Sequence, residues 1–192
     1  MSASASLPTV WDHYALARVL LRSGSLERAA EEAKQAVRLR PQDLWPNFYQ
    51  GLCSYRLGRY ADAIQAYSVC IGAAPEAASC FYNRALAFEG LADPEQALND
   101  YDQALRLDPT LAVAALNRGM LHYRAKRYAD SLADLRQADE SGADPAVVSY
   151  DRALVHLARG EQAAALDDLR RAVSLNPNHA EARKLYEKLQ GR

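Results

Sequence analysis

The chain is sparing with the residues that usually carry chemistry. Its three cysteines, Cys53, Cys70 and Cys80, never stand at CxxC spacing in 192 residues. So odd and sparse a set argues against a disulfide framework and fits a reducing, cytoplasmic setting. Histidine occurs four times, and His13 and His179 have no Cys or His at metal-ligand spacing. There is no phosphate-binding glycine loop and no serine in a nucleophile elbow. No catalytic residue, cofactor site or metal site is therefore assigned, and the expected class is not an enzyme. An excess of charge is missing too. Lys and Arg number 23 against 24 Asp and Glu, a net charge of −1, which argues against a dedicated nucleic-acid binder. No apolar run approaches about 20 residues, so no membrane helix is expected. Residues 1–9 lack the basic start and apolar core of a signal peptide and read as a flexible tail.

What the chain does have is a period. Pro41, Pro75 and Pro109 lie 34 residues apart. A frame of that length started at Val10 divides the chain into repeats 10–43, 44–77, 78–111, 112–145 and 146–179, with a remainder from Ala180. The eighth position holds Ala17, Gly51, Ala85, Gly119 and Ala153. The twentieth holds Ala29, Ala63, Ala97, Ser131 and Ala165, and the twenty-seventh Ala36, Cys70, Ala104, Ala138 and Ala172. All fifteen are small, as close helix–helix approach requires. Larger apolar residues between them recur at spacings of three and four, the mark of helices rather than strands. A repeated supersecondary unit of this length is an array element whose usual work is binding.

Each repeat reads as two helices joined by a turn near its fifteenth position, with Gly24, Gly58, Ala92, Lys126 and Gly160 there. The closing proline stops the second helix, because it lacks an N–H and clashes with the preceding turn. Thr9 and Asp12 form a candidate capping box. Asp93-Pro94 and Asp144-Pro145 place a cap and a first-turn proline at two more helix starts. In the fourth repeat the proline slips to Pro145, and Glu140-Ser141-Gly142 predicts an early helix end. Residues 180–190 carry the stripe Ala182, Leu185, Tyr186 and Leu189 and read as a capping helix with a polar outer face. The predicted fold is all-α, eleven helices.

Arg84, Arg118 and Arg152 share the seventh position of their repeats, and Asp100, Asp134 and Asp168 share the twenty-third. The first two repeats have neither an Arg nor an Asp at those positions. Two residue types that appear together three times predict an ion pair between the two helices of a repeat, a structural rather than a binding role.

These residues resemble the tetratricopeptide repeat family. Gly51, Tyr55, Gly58, Tyr60, Ala63, Tyr67 and Pro75 follow the family pattern, as do Phe81-Tyr82-Asn83, Ala85, Ala97, Tyr101 and Leu107-Asp108-Pro109. The resemblance implies a right-handed superhelical solenoid of five hairpins plus the capping helix, a single domain over 10–192. It also implies packing roles for His122 and His156, at a position where the family has an aromatic. A finer likeness links Phe48-Tyr49-Gln50-Gly51 and Cys80-Phe81-Tyr82-Asn83-Arg84 to arrays attached to bacterial serine/threonine kinases. No His-Arg-Asp or Asp-Phe-Gly is present, so on that likeness the chain would be a docking or regulatory region.

The resemblance further implies that one stripe of each first helix lines a concave groove. Read through the repeats, the stripe gives Trp11, Tyr14, Arg18 and Arg22, then Trp45, Tyr49 and Arg56, then Tyr82 and Asn83, then Asn117 and Arg124, then Tyr150. Trp, Tyr and Arg dominate binding hot spots. The expected partner is a protein or peptide segment, acidic where the arginines meet it, and self-association is a further alternative. The chaperone carboxylate clamp of the family needs lysines that are missing here, since its positions hold Tyr14, Arg18, Tyr49, Ser79 and Asn83.

Overall fold

The computed structural model describes residues 7–191, which form eleven α-helices and no strand. Most of the expected tail, residues 1–6 of 1–9, falls outside the described residues. The helices are α1 (Val10–Arg22), α2 (Leu26–Leu39), α3 (Leu44–Arg56), α4 (Tyr60–Ala73), α5 (Ala78–Gly90), α6 (Pro94–Leu107), α7 (Ala112–Arg124), α8 (Tyr128–Glu140), α9 (Pro145–Ala158), α10 (Gln162–Leu175) and α11 (Ala180–Leu189). Two compact units result, one ending at Leu107 with α1 to α6 and the other beginning at Asp108 with α7 to α11. Within each unit consecutive helices pack as hairpins, and first helices of successive repeats also touch.

Local chemistry sets the helix ends. Thr9 and Asp12 close the capping box, with the Thr9 N–H donating to the Asp12 carboxylate at 2.7 Å. Asp93 accepts from the Gln96 N–H at 3.2 Å ahead of α6, and Asp144 accepts from Ala146 at 2.9 Å ahead of α9. These bonds satisfy N–H groups that the helix itself leaves unpaired. The fourth repeat ends early, as expected: α8 stops at Glu140 and Gly142 turns the chain with φ +88°.

The small positions explain how closely the helices pack. A Cβ on Gly51 would fall 2.7 Å from the Tyr67 ring, so no other residue fits there without displacing it. The core partners of the small residues are Tyr67, Tyr101, Leu135 and Leu169, one per repeat from the second to the fifth, and all are fully buried. Cys53, Cys70 and Cys80 surround Tyr67 in the first unit and are fully buried free thiols. Burial pushes the Cys53 thiol up to about 11, so it behaves as a small apolar residue.

The Arg and Asp positions meet as the spacing predicts. In the first unit Arg84 donates to both oxygens of Asp100, at 2.7 and 2.8 Å. In the second unit Arg118 holds Asp134 by two bonds, the Nε one 2.9 Å long, and Arg152 stands 3.2 Å from Asp168. His122 and His156 each lie 3.6 Å from the carboxylate of the same pair. Both are thus packed beside a structural ion pair. In the first repeat a different pair spans α1 and α2, His13 with Glu32 at 2.7 Å. The second repeat has Gln50 and Ala66 in place of the pair, and a cleft of about 430 Å³ opens there between α2, α3 and α4.

Candidate functional site

In the first unit the stripe residues of α1 and α3 come together as one aromatic ridge. Trp11 meets Tyr14 edge-on at 6.0 Å between ring centroids, and Tyr14 meets Tyr49 at 5.1 Å. Phe48 joins Tyr49 at 5.9 Å and Trp45 at 6.1 Å. Edge-to-face stacking of this kind fixes ring orientation and adds about 0.5–1.5 kcal/mol per pair beyond the area buried. The two ends of the ridge stay open: Trp11 is 58% exposed and Trp45 49% exposed. Phe48 also packs on Tyr67, which anchors the ridge in the core of the unit.

Beside the ridge, Arg18, Arg22 and Arg56 line an open cleft of about 660 Å³ together with Tyr49, Leu21 and Leu52. Arg18 lies over the Tyr14 ring at 5.8 Å, a cation–π contact. Tyr49 has its hydroxyl pKa raised, chiefly by burial and then by the neighbouring Tyr14, so it stays a neutral donor. Arg56 donates to the Leu21 carbonyl at 3.2 Å, tying α3 to the C-terminal end of α1. This bond gives Arg56 a structural duty that residue type and spacing did not reveal. Leu21, which also lines the cleft, escaped the sequence reading because the periodicity assigns it to ordinary packing, whereas Leu52 stands, like Arg18, at the ninth position of its repeat.

On α5 the remaining stripe residues of this unit are partly engaged. The Tyr82 ring rests against Tyr101 at 6.1 Å, and Asn83 donates to the Ser79 carbonyl of its own helix at 2.7 Å. One amide hydrogen of Asn83 is thereby committed within the helix.

In the second unit the stripe comprises Asn117 and Arg124 on α7 and Tyr150 on α9. Tyr150 is half-buried against the His179 imidazole, 4.7 Å between ring centroids. His179 in turn accepts from the Ala182 N–H and caps α11. Next to Tyr150, the Asp151 carboxyl is pushed up to about 6 by burial, with His179 and Arg124 pulling the other way. Among the described residues no group of three or more His, Cys, Asp or Glu side chains could hold a metal ion. No described helix is long and apolar enough to cross a membrane.

Residues 14–78 and 78–111 match two models of the tetratricopeptide repeat, together about half of the chain. The chain belongs to the tetratricopeptide repeat family. Among curated relatives, the human protein sperm-associated antigen 1 is 37% identical over 76 residues, which is 40% of this chain and 8% of that protein. The chain spans less than two thirds of the length of the curated relatives it matches, from 8% to 58%. Two solved structures share the fold. YrrB, described as a tetratricopeptide repeat protein with an unusual peptide-binding site, superposes with a TM-score of 0.75 at 20% identity, covering 92% of this chain and 91% of that one. PilW, a type IV pilus biogenesis factor, does so with a TM-score of 0.83 at 17% identity, covering 95% of this chain and 86% of that one. At such identities the likeness is one of fold.

Proposed function

We propose that the chain is a protein-interaction scaffold that holds an extended peptide or partner segment against the first-helix face of its first unit. The observation that carries this reading is the ridge from Trp11 to Trp45, ending in two exposed indoles beside three arginines. Packing within the repeat does not need exposed tryptophan, whereas a bound apolar side chain gains from it. Membership of the tetratricopeptide repeat family supports an interaction role, as does the peptide-binding description of YrrB. Tyr82 and Asn83 extend the proposed contact set within the first unit, and Asn117, Arg124 and Tyr150 are proposed as a separate contact set of the second unit, with the asparagine amides serving the backbone of a partner. The partner is proposed to be acidic where it meets Arg18, Arg22 and Arg56.

The test is affinity capture with wild type and with a Trp11→Ala/Trp45→Ala variant, followed by titration of the captured partner's segment. The variant should bind at least tenfold more weakly while its melting temperature moves by no more than a few degrees, since both indoles are about half exposed. Undiminished binding by the double variant sinks the reading. Arg56 is a poorer choice for this test, because its loss also frees the Leu21 carbonyl.

A further inference from the structure

Where arginines in this fold are partly buried, a carboxylate answers them: Arg84 has Asp100, Arg118 has Asp134 and Arg152 has Asp168. In the cleft beside the ridge the arginines are exposed instead. Three guanidinium groups line it and no Asp or Glu does. Two of the three, Arg22 and Arg56, stand in the last turns of α1 and α3. A helix C-terminus carries roughly −0.5 charge, so two such ends offset about one of the three positive charges and leave roughly +2. The Tyr14 and Tyr49 rings stack edge-on at 5.1 Å, and Arg18 lies over the Tyr14 ring at 5.8 Å, so packing orients the guanidinium at the cleft edge. The floor, Leu21 and Leu52, is apolar and suits the carbon stem of a side chain.

A single carboxylate brings one charge and two acceptor oxygens, and leaves part of this set unanswered. A phosphomonoester brings about −1.5 to −2 charge at neutral pH and three acceptor oxygens. Guanidinium forks match its oxygens by paired bonds. We propose that the cleft lined by Arg18, Arg22 and Arg56 binds a phosphorylated serine or threonine side chain of the partner segment. This inference rests on the reading that the ridge of α1 and α3 holds a peptide, and it supplies the charged anchor of that peptide.

The chain holds two tryptophans, both on the ridge, so their emission reports binding beside the cleft. The full chain is titrated with phenyl phosphate and with phenyl sulfate, a probe of similar shape and single charge. Phenyl phosphate should bind at least tenfold more tightly at pH 7.5. Its advantage should fade as the pH drops below about 6, where phosphate loses its second charge. Phenyl sulfate does not titrate in that range and corrects for changes in the protein, including the His13–Glu32 pair between α1 and α2. An Arg18→Gln/Arg22→Gln variant should lose the advantage at an unchanged melting temperature. Equal affinity for the two probes, or an advantage that survives in the variant, overturns the proposal. A peptide array with a fixed central phosphoserine, glutamate or serine separates the two readings. Preference for phosphoserine supports both. Equal capture of glutamate peptides overturns the phosphate anchor and leaves the peptide face standing. Capture of phenyl phosphate with no peptide bound overturns both.

Discussion

At the scale of single residues, position in the repeat foretold role where two positions vary together. Arg84, Arg118 and Arg152 appear with an aspartate sixteen residues on, and the structure joins each pair. Asp151 had no such companion in the sequence, and its environment was not legible. It is set by Tyr150, by Arg124 and by His179, which lies just ahead of α11 and outside the five first helices. Burial raises its pKa to about 6 in the folded chain, against an ordinary value near 3.8. The folded carboxyl therefore keeps its proton up to about pH 6, while the unfolded one releases it near pH 4. Above pH 6 the ionised group costs stability, and that cost disappears as the pH falls through this window. Replacing Asp151 with Asn should raise stability by about 1–2 kcal/mol at pH 7.5 and by almost nothing at pH 4. Paired thermal melts at the two pH values would show it, and a gain of equal size at both would contradict the assignment to ionisation.

At the scale of the helix and its turn, the 34-residue frame located nearly every start. First helices begin at Val10, Leu44, Ala78 and Ala112. Only α9 departs, starting one residue ahead of the frame because Pro145 occupies its first position after the Asp144 cap. The frame also marked the turn at the fifteenth position, but not its strain. Gly24, Gly58 and Gly160 adopt positive φ there, and so do Ala92 at φ 58° and Lys126 at φ 60°. Backbone geometry is shared by all five turns while residue type is not, so the conformation follows from the repeat and the cost from the residue. A left-handed conformation costs a non-glycine residue roughly 1–2 kcal/mol. Glycine removes that cost but adds freedom to the unfolded chain, which takes back part of the gain. Ala92→Gly and Lys126→Gly should each stabilise by about 0.5–1 kcal/mol, or a few degrees in melting temperature. The two lie in different units, so their effects should add, which the double variant measures directly.

At the scale of the whole molecule, the helical array was legible and the anion cleft was not. A net charge of −1 gives no sign that three guanidinium groups converge without a carboxylate, since that depends on which residues share a surface. The division at Leu107 likewise has no counterpart in a frame that runs through it unbroken. The outer face of the fifth hairpin is a different matter, because a stacked repeat must bury its apolar face against something. Here α11 supplies the cover. Leu185, Tyr186 and Leu189 pack with Ala182 on a core of Ala153, Ala165, Leu169 and Ala172. Its other face shows Glu181, Arg183, Lys184, Glu187 and Lys188 to water. Three half-buried large side chains and one buried alanine amount to about 3 kcal/mol of apolar burial. Removing residues 180–192 should then lower the melting temperature by roughly 6–12 °C for a chain of this size. It should also leave an apolar strip on α9 and α10 that two truncated chains can share, because Leu157 and Val173 lose their cover. Light scattering over a concentration series would detect that association, and the addition of a synthetic 180–192 peptide should reverse it. A truncated chain that stays monomeric with an unchanged melting temperature would mean that α11 is an appendage rather than the closing layer of the stack.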